Sequence, residues 1–371
     1  MISEKLGILT DVKTGKLDAN AQVLNGQYPF FTCSVENKRI DSYAFDGEYV
    51  IVAGNGDLNV KYYNGKFNAY QRTYAIKPNN EIDGKYLYYF LEKYLEKLRE
   101  LSIGGVIKYI KLENLTEARI PLQSLDQQKK IAAILDAADV YKQKTKVLID
   151  KYDELTQSLF LETFGDPVTN PKNWEIISLG DYGSFKNGLN FGRNESGVKL
   201  KYLGVGNFKS FYKIDDLDTL SSIELNNLPS EGYLLKDGDL VFVRSNGNKA
   251  LVGRCIEIIC GSTMLTFSGF CIRYRLTSDK VKPSYLAQLF RNKSFKSLML
   301  KGGRGANIQN INQKILSEIK IPVPETSLQD KFIASIKAIE LQKAQAQASL
   351  AQAEDLFNSL LQRAFKGEST S

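Results

Sequence analysis

The same strand-and-turn phrase occurs twice in this chain, and this repeat limits the possible fold more than any other feature of the sequence. The segment DGEYVIVAGNGD begins at Asp46, and DGDLVFVRSNGN begins 191 residues later, with six of twelve positions identical. Three further pairs keep the same order: LGILTDVKTG (Leu6) and LGDYGSFKNG (Leu179), SLDQQKKIAAI (Ser124) and TSLQDKFIASI (Thr326), ELTQSLFLETF (Glu154) and DLFNSLLQRAF (Asp355). The chain is therefore a tandem duplication of one folding pattern.

Each copy divides into a mixed body and one long helix. The offset between matching segments is 173 residues for the pair that begins at Leu6 and 191 for the pair that begins at Asp46. It is 202 for the pair that begins at Ser124 and 201 for the pair that begins at Glu154. The second copy is therefore longer within its body, while the helix keeps its length. Apolar runs beside Asp-Gly and Asn-Gly turn signals predict strands in both bodies. We predict an α+β fold with a first body over 1–123, a helix over 124–165, a second body over 166–325 and a helix over 326–371.

Both long helices carry a capping signal and a hydrophobic stripe. Ser124 with Gln127, and Thr326 with Gln329, have the spacing of a capping box, in which hydroxyl and glutamine satisfy backbone donors of the first turn. At about 55 Å each, the helices are expected to pack antiparallel about a pseudo-two-fold axis, with a body at each end. The stripe positions follow coiled-coil spacing and are Leu135, Ala138, Ile149, Tyr152, Leu159, Ile336, Ile339, Ala346, Leu350, Ala353, Phe357 and Leu360.

The composition excludes several classes of active site. The 371-residue chain contains no histidine, which removes His-based acid–base catalysis, Ser-His-Asp and Cys-His nucleophiles and most zinc sites. The sequence has no GxxxxGK[ST] phosphate loop and no complete GxGxxG fingerprint. We therefore expect a chain without catalytic residues of its own.

Cysteine usage and hydropathy indicate a cytoplasmic protein without a metal site. The four cysteines form no CxxC pair and are typical of small buried residues in a reducing compartment. The sequence shows no secretory signal pattern and no run of about 18 apolar residues that could cross a membrane.

Basic, polar and aromatic residues accumulate in both bodies, a composition compatible with nucleic-acid binding. The net charge is +7, from 49 Lys and Arg against 42 Asp and Glu. Lys and Arg neutralise phosphates, and Arg, Asn and Gln can contact base edges, although core packing is the commoner role of an aromatic residue. The candidates are Lys13, Lys61, Tyr70 and Arg72 in the first body, and Lys186, Arg193, Lys209, Arg244, Ser245, Asn246, Lys249, Arg304, Asn307 and Gln309 in the second.

The two copies of the repeated phrase differ at one place. Aligned at the offset of 191, Arg244 and Ser245 stand opposite Ala53 and Gly54, whereas the Asp-Gly and Asn-Gly pairs are shared. The shared pairs are typical of tight turns. We expect the differing residues to make the two bodies differ in what they bind.

Three features of the chain, taken together, are those of a known family. The first is the order of body, long helix, body and long helix. The second is the pair of helix-entry segments, IPLQSLDQQKKIAAIL and IPVPETSLQDKFIASI. The third is the start of the second body, Asn173-Trp174-Glu175 followed by Leu179-Gly180, although the first copy lacks the tryptophan. Over essentially its whole length the chain resembles the specificity subunit of type I restriction–modification systems.

The resemblance implies two target recognition domains, each reading one half of a bipartite and asymmetric DNA sequence, with the paired helices setting the spacer. It implies a non-catalytic subunit whose partners are double-stranded DNA, two DNA-adenine methyltransferase subunits and an ATP-dependent restriction subunit. No cofactor is expected in this chain; S-adenosylmethionine, ATP and Mg are expected in the partner subunits.

Three alternatives stay open from the sequence alone. The chain could serve another DNA modification or anti-phage system, act as a self-contained nuclease or methyltransferase, or form a coiled-coil scaffold that does not bind DNA. Modification of DNA by the purified chain would favour the enzyme, and salt-sensitive binding to DNA would argue against the scaffold.

Overall fold

The computed structural model describes residues 2–192, 195–209, 213–300 and 310–366 and divides the chain into two compact units. The first unit contains the residues up to Leu148 together with those from Ala346 onwards, and the second contains Ile149–Gln345. Each unit therefore combines one body with part of both long helices.

The first body contains a larger sheet, a smaller sheet, a two-stranded sheet formed by Ser3–Lys5 and Arg119–Pro121, and a covering helix. A four-stranded antiparallel sheet has the order β2-β8-β5-β6, and a three-stranded sheet has the order β4-β3-β7. Its elements are β1 (Ser3–Lys5), α1 (Leu6–Leu9), β2 (Thr10–Thr14), β3 (Tyr28–Phe31), β4 (Lys38–Ile40), β5 (Glu48–Ala53), β6 (Val60–Asn64), β7 (Asn68–Ala69), β8 (Thr73–Pro78), α2 (Gly84–Leu101), α3 (Leu112–Thr116) and β9 (Arg119–Pro121).

The second body repeats this plan with insertions. Its larger sheet has five strands in the order β11-β18-β15-β16-β13, and its smaller sheet has the order β14-β12-β17. Its elements are β10 (Glu175–Ser178), β11 (Gly183–Asn187), β12 (Val198–Leu203), β13 (Lys213–Ile214), β14 (Ser222–Leu225), β15 (Leu240–Val243), β16 (Cys255–Ile258), β17 (Leu265–Phe267), β18 (Cys271–Leu276), α5 (Pro283–Arg291), α6 (Lys293–Leu300), α7 (Gln313–Glu318) and β19 (Lys320–Val323).

The larger sheet of each body is buried on both faces. In the first body Val50 packs on α2, whereas its neighbour Ile51 packs with Phe31 of the smaller sheet. Alternate residues of a strand point to opposite faces, so a strand covered on both sides is apolar throughout. This explains why the central run of the repeated phrase is continuous rather than alternating.

The repeated phrase is displaced by one residue between the two bodies. Val50 faces α2, but Val241, its match in the sequence alignment, faces the smaller sheet; Leu240 is the residue that faces α5. A shift of one residue moves every side chain of a strand to the other face. The structural offset of these strands is therefore 190, and the alignment at 191 was wrong within the strand.

The long helices are α4 (Leu125–Phe164) and α8 (Thr326–Lys366). In the first unit, Lys142 Nζ lies 4.0 Å from the ring centre of Phe357, and Lys146 forms a 2.9 Å ion pair with Glu354. In the second unit, Asp153 pairs with Lys343 at 2.7 Å, and the rings of Phe160 and Phe332 lie 5.7 Å apart. As numbering rises along α4 it falls along α8, so the helices pack antiparallel in each unit and the predicted α+β fold class is confirmed.

The stripe positions lie on the contacting faces of these helices. The polar residues Thr145 and Thr156 interrupt the stripe of α4 and are themselves buried, each donating its hydroxyl to a backbone oxygen four residues earlier. Leu135, Ile336, Ala346, Ala353 and Phe357 are buried, and Ala138, Ile149, Tyr152, Leu159, Ile339, Leu350 and Leu360 are half-buried.

A charged cluster crosses the helix contact in the second unit. Asp153 of α4 accepts hydrogen bonds from Lys343 of α8 at 2.7 Å and from Arg291 of α5 at 3.1 Å. At the corresponding position of α2 the first unit has Glu92, a residue of opposite charge to Arg291. Burial raises the pKa of Glu92, and the charge of Lys142 opposes this shift. The two bodies therefore contact the long helices through residues of opposite charge, Glu92 in the first body and Arg291 in the second.

A fully buried glutamine joins the start of α4 to the first body. The Gln128 amide nitrogen donates to the carbonyl oxygens of Glu81 and Gln123, and its amide oxygen accepts the N–H of Asp83. Asp83 in turn caps the first turn of α2 by accepting from the backbone N–H groups of Lys85 and Tyr86. This glutamine therefore fixes the orientation of the covering helix relative to the long helix.

Gln329 makes the same three bonds in the second unit. Its amide nitrogen donates to the carbonyl oxygens of Lys280 and Pro324, and its oxygen accepts the N–H of Lys282. The capping box predicted for Thr326 and Gln329 is therefore wrong, because this buried side chain is turned towards the body. Gln329 corresponds to Gln128, so an offset of 201 residues relates the two helices from their first turns onwards, rather than the 202 of the sequence alignment.

The first helix does use part of its predicted cap. The backbone N–H of Gln127 donates to the Ser124 hydroxyl at 3.4 Å. At the other end Gly165 has φ +80°, the left-handed conformation expected of a helix stop. The Trp174 indole N–H donates to the carbonyl oxygen of Phe164 at 2.9 Å. Gly367, the matching stop predicted for α8, lies outside the described residues.

Candidate nucleic-acid interface

Three segments meet at one edge of the first body. The backbone N–H of Gly54, just after β5, donates to the carbonyl oxygen of Arg72 at 2.8 Å. The carbonyl oxygen of Gly54 accepts the N–H of Ile110 at 2.9 Å. Residues that are distant in the sequence are thereby held side by side. We call this place the edge of the first body.

The second body builds the same edge from the same elements. The N–H of Arg244, just after β15, donates to the carbonyl oxygen of Phe270 at 2.8 Å, and its carbonyl oxygen accepts the N–H of Ile311 at 3.0 Å. Arg244 therefore corresponds to Gly54, and the alignment of Arg244 with Ala53 was wrong. At this position the second body has an exposed guanidinium, whereas the first body has a glycine.

The next residue of each phrase also has an equivalent position. Asn55 forms a bridge with Tyr109, and Ser245 forms one with Asn310. Ser245 is half-buried, whereas Asn310 is exposed. Both edges thus present two adjacent polar residues from different segments, in a geometry that the backbone fixes. Hydrogen-bonding groups held in this way can match the donors and acceptors of base edges.

The candidates of the first body occupy two places. Arg72 is exposed at the edge, and Tyr70 is half-buried in the same loop, where its N–H donates to Phe31. Lys13 lies on β2 and Lys61 on β6, the two edge strands of the larger sheet. Both side chains are on the face turned away from α2. The structure therefore groups Tyr70 with Arg72 but not Lys13 with Lys61.

The two lysines differ in their surroundings. A hydrogen bond to Asp11 raises the pKa of exposed Lys13, and the ion pair measures 2.6 Å. Burial lowers the pKa of Lys61, whose Nζ donates to the Ser34 carbonyl oxygen at 2.6 Å. Lys61 is thus engaged within the body, and Lys13 is the more accessible of the two cations.

The candidates of the second body lie mainly in one loop. Arg244 and Lys249 are exposed, and Asn246 is half-buried between them. The Asn246 side chain accepts the N–H of Asn248 at 2.7 Å, and Asn248 accepts that of Ala250 at 3.0 Å. These bonds shape the loop from within, so that its two cations project from a defined backbone.

Lys186 lies apart from that loop, on β11, at the position equivalent to Lys13. Its Nζ lies 4.3 Å from the ring centre of Tyr233, a cation–π distance. Lys209 ends a short helical turn, Val205–Lys209, and its side chain lies outside the described part. The remaining candidates, Arg193, Arg304, Asn307 and Gln309, lie outside the described residues.

The shared Asp-Gly pair of the repeated phrase is structural in the second body. Asp237 accepts the N–H groups of Cys260 and Gly261 at 2.7 and 2.8 Å, and these bonds lower its pKa. Buried Asp239 accepts two hydrogen bonds of 2.7 Å from Arg275. Paired bonds of this kind are geometrically specific. The acidic residues of the phrase therefore hold the strand in place rather than face a ligand.

Sequence reasoning missed the exposed aromatic residue at the second edge. Phe270 is 61% exposed although it stands between two buried strands. Its residue type, followed by the apolar residues Cys271 and Ile272, favoured core packing. The signal was the Ser268-Gly269 pair before it, which is typical of a turn.

Within the described residues, no group of three or more His, Cys, Asp or Glu could hold a metal ion. Burial raises the pKa of Cys271 to about 12 and that of Cys260 to about 11, so these thiols are poor nucleophiles. No helix in the described ranges is long and apolar enough to cross a membrane.

The comparisons with known proteins all match members of one family. A family model described as the type I restriction modification DNA specificity domain matches twice, over residues 4–155 and 171–348. The type I restriction enzyme EcoDI specificity subunit of Escherichia coli is 31% identical, covering 99% of this chain and 88% of the relative. The StySPI specificity subunit of Salmonella potsdam is 25% identical, covering 80% of this chain and 68% of the relative.

Two solved structures share the fold. One is a type I restriction–modification S subunit from M. genitalium, with TM-score 0.62 and 21% identity, covering 98% of this chain and 96% of that one. The other comes from work on complex assembly and conformational transition of the type I R-M system, with TM-score 0.58 and 15% identity, covering 99% and 98%. At this identity the likeness concerns the fold.

Proposed function

The chain belongs to the type I restriction–modification DNA specificity family, and we propose that it selects a bipartite DNA target for methyltransferase and restriction subunits. Each body reads one half-site through its edge. One observation carries this proposal: the chain builds the same three-segment edge twice but places Gly54 at one and Arg244 at the other. Two unlike readers on a repeated frame select an asymmetric target, whereas identical readers select a palindrome.

The chemistry at the edges suits duplex DNA. Exposed Arg72, Arg244 and Lys249 can neutralise phosphates or contact guanine, and Asn310 can contact adenine. Phe270 can make apolar contact with a thymine methyl group. Because phosphate contacts contribute affinity without sequence information, the polar and apolar groups between the cations carry the discrimination.

We propose that the paired helices set the unspecified spacer. α4 and α8 have 40 and 41 residues, about 60 Å each, and their offset is constant while that of the bodies varies. Half-sites on one face of a duplex recur every 34–36 Å or so. A helical spacer of constant length therefore suits a fixed distance between half-sites, independent of which sequences the bodies read.

The proposed partners are double-stranded DNA, two DNA-adenine methyltransferase subunits and an ATP-dependent restriction subunit, all in the cytoplasm. The chain itself is proposed to be non-catalytic. The methyl donor S-adenosylmethionine, ATP and Mg belong to the partner subunits in this proposal.

Sequencing of methylated adenines in a host that expresses the chain with its methyltransferase tests the proposal. We expect one asymmetric motif of two parts separated by a fixed spacer. Methylation without a bipartite motif, or methylation of the same sites without the chain, would exclude the proposed function. Methylation by the purified chain alone would instead favour the enzyme.

A further inference from the structure

The first edge carries a loop of defined shape between α2 and α3, which we call the apolar loop, Ile103–Tyr109. Ile103 and Tyr109 exchange two backbone hydrogen bonds of 2.9 Å. The carbonyl oxygen of Lys108 accepts the N–H of Gly56 at 3.0 Å, which ties the loop to the end of β5. Gly104 turns the chain with φ +114°, a conformation that favours glycine. The loop is therefore fastened at its base to the edge.

The tip of this loop exposes apolar side chains. Val106 is fully exposed, Ile107 is 62% exposed and Ile103 is 43% exposed. Single exposed apolar residues are ordinary, but three within five residues on a fastened tip form a patch. Such a patch marks a surface that another molecule covers.

The surroundings of the tip indicate which molecule covers it. Exposed Lys108 and Lys111 flank the patch, and Arg72 stands at the same edge. An apolar tip between cations is complementary to a nucleic-acid groove, where phosphates line the rims and base edges form the floor. A purely apolar protein surface would not require cations on both sides.

The second body has different chemistry in the equivalent stretch of sequence. Ile110 and Ile311 make the same backbone bond to their strands, which fixes the correspondence. Counting back from them, Val106 corresponds to Asn307 and Ile103 to Arg304. Ile107 corresponds to Ile308 and keeps its residue type, so two of the three apolar residues of the tip are replaced by hydrogen-bonding residue types in the second copy.

We propose that Val106 and Ile107 contact the bases of the half-site read by the first body, and that this apolar contact contributes its specificity. The inference depends on the proposed function and adds the chemical class of the contact. Two modes share this chemistry: packing on thymine methyl groups in the major groove, and insertion between base pairs with local unstacking.

The test uses the full chain with its methyltransferase subunits. Val106→Ser combined with Ile107→Ser is compared with Leu24→Ser, which alters a 93% exposed apolar residue elsewhere in the first body. We expect the double variant to relax the half-site that Arg72→Ala also affects, and to weaken binding to the mapped target about 5- to 100-fold. The half-site affected by Arg244→Ala should be unchanged, and Leu24→Ser should behave as wild type.

Base analogues separate the two modes on the mapped half-site. If methyl packing operates, deoxyuridine in place of thymidine lowers affinity for the wild type but not for the double variant. If insertion operates, 2-aminopurine at the affected step brightens on binding of the wild type only. Either result supports the inference.

Three outcomes would overturn either the inference about the apolar loop or the proposed function. An unchanged motif, with affinity within about twofold of wild type, overturns the inference and leaves the proposed function intact. Loss of methyltransferase assembly with unchanged DNA affinity also overturns it, because the loop then binds protein. If the wild-type complex has no bipartite motif, the proposed function itself fails.

Discussion

Gln128 and Gln329 make the same three hydrogen bonds in the two halves of the chain, 201 residues apart. Each is fully buried, and each joins the beginning of a long helix to the backbone before the covering helix of its own body. The attachment of each covering helix to its long helix therefore depends on one amide side chain.

Gln128→Leu and Gln329→Leu should each destabilise the protein by about 1–3 kcal/mol, because each leaves buried backbone donors and acceptors without partners. Urea denaturation of the purified chain measures this loss. Gln127→Leu alters an exposed neighbour and should change stability by less than about 0.5 kcal/mol. Equal effects of Gln127→Leu and Gln128→Leu would contradict the assigned role.

Arg244→Ala should weaken recognition of one half-site by about 1–3 kcal/mol if the guanidinium contacts a base. The measurement is affinity of the assembled complex for the mapped target and for variants of each half-site. Arg72→Ala is the matched change at the other edge and should affect the other half-site. A uniform loss on every sequence would mean that Arg244 contacts phosphate.

Lengthening both helices should lengthen the spacer of the target. Seven residues inserted after Lys144 and seven after Gln345 keep the heptad phase and add about 10 Å at 1.5 Å per residue, or about three base pairs. Mapping of methylated adenines measures the new spacer. The same seven residues inserted at Leu24 should leave the spacer unaltered. Active helix variants that keep the original spacer would refute the proposal that the helices set it.

Leu350→Asp should separate the helices and prevent assembly with the methyltransferase. Leu350 is half-buried on the face of α8 that meets α4, and a carboxylate there loses solvation without gaining a partner, which costs about 2 kcal/mol or more. Circular dichroism and co-purification measure the two effects. Leu356→Asp makes the same change at a 57% exposed position of α8; normal assembly of both variants would rule out the predicted role.

The stability contributed by Asp153 should disappear in acid. Burial alone would raise its pKa, but the hydrogen bond from Lys343 and the charges of Arg291 and Lys343 outweigh burial and lower it. The contribution is therefore present above the unfolded pKa of about 3.9 and is lost as pH falls through the lower folded value.

We expect the stability difference between wild type and Asp153→Asn to be constant near neutral pH and to shrink below about pH 4. Because Asp153 is 39% exposed, solvent screening keeps the difference small. Asp150→Asn, on the exposed side of the same helix, serves as control. A difference that grows in acid would have the wrong sign for this ion pair.

The duplication, the two long helices and their stripes could be predicted because each leaves a periodic or repeated signal. The register of the strands could not be predicted to within one residue. Val50 and Val241 align in sequence, but a strand buried on both faces is apolar throughout, so the pattern does not show which side chains face the helix. Gln329 was placed at a helix cap because its partners, the backbone groups of Lys280 and Lys282, are distant in the sequence.

The candidate interface could be predicted in part for the same reason. The cations Arg72 and Arg244 stand out by residue type, and both lie at an edge. Phe270 and the apolar loop did not stand out, because apolar residues are most often buried and exposure is a property of the fold. Equivalence of the two edges depends on backbone hydrogen bonds between segments, which composition does not encode.

Glu92 and Arg291 carry opposite charges at equivalent positions, but the long helices offer the same pair of charges to both. At the offset of 201, Lys142 corresponds to Lys343 and Glu354 to Asp153. Glu92 lies beside Lys142 and Glu354, and Asp153 binds both Arg291 and Lys343. Each position therefore supplies a cation and an anion, so the helices can accept a body that carries either charge.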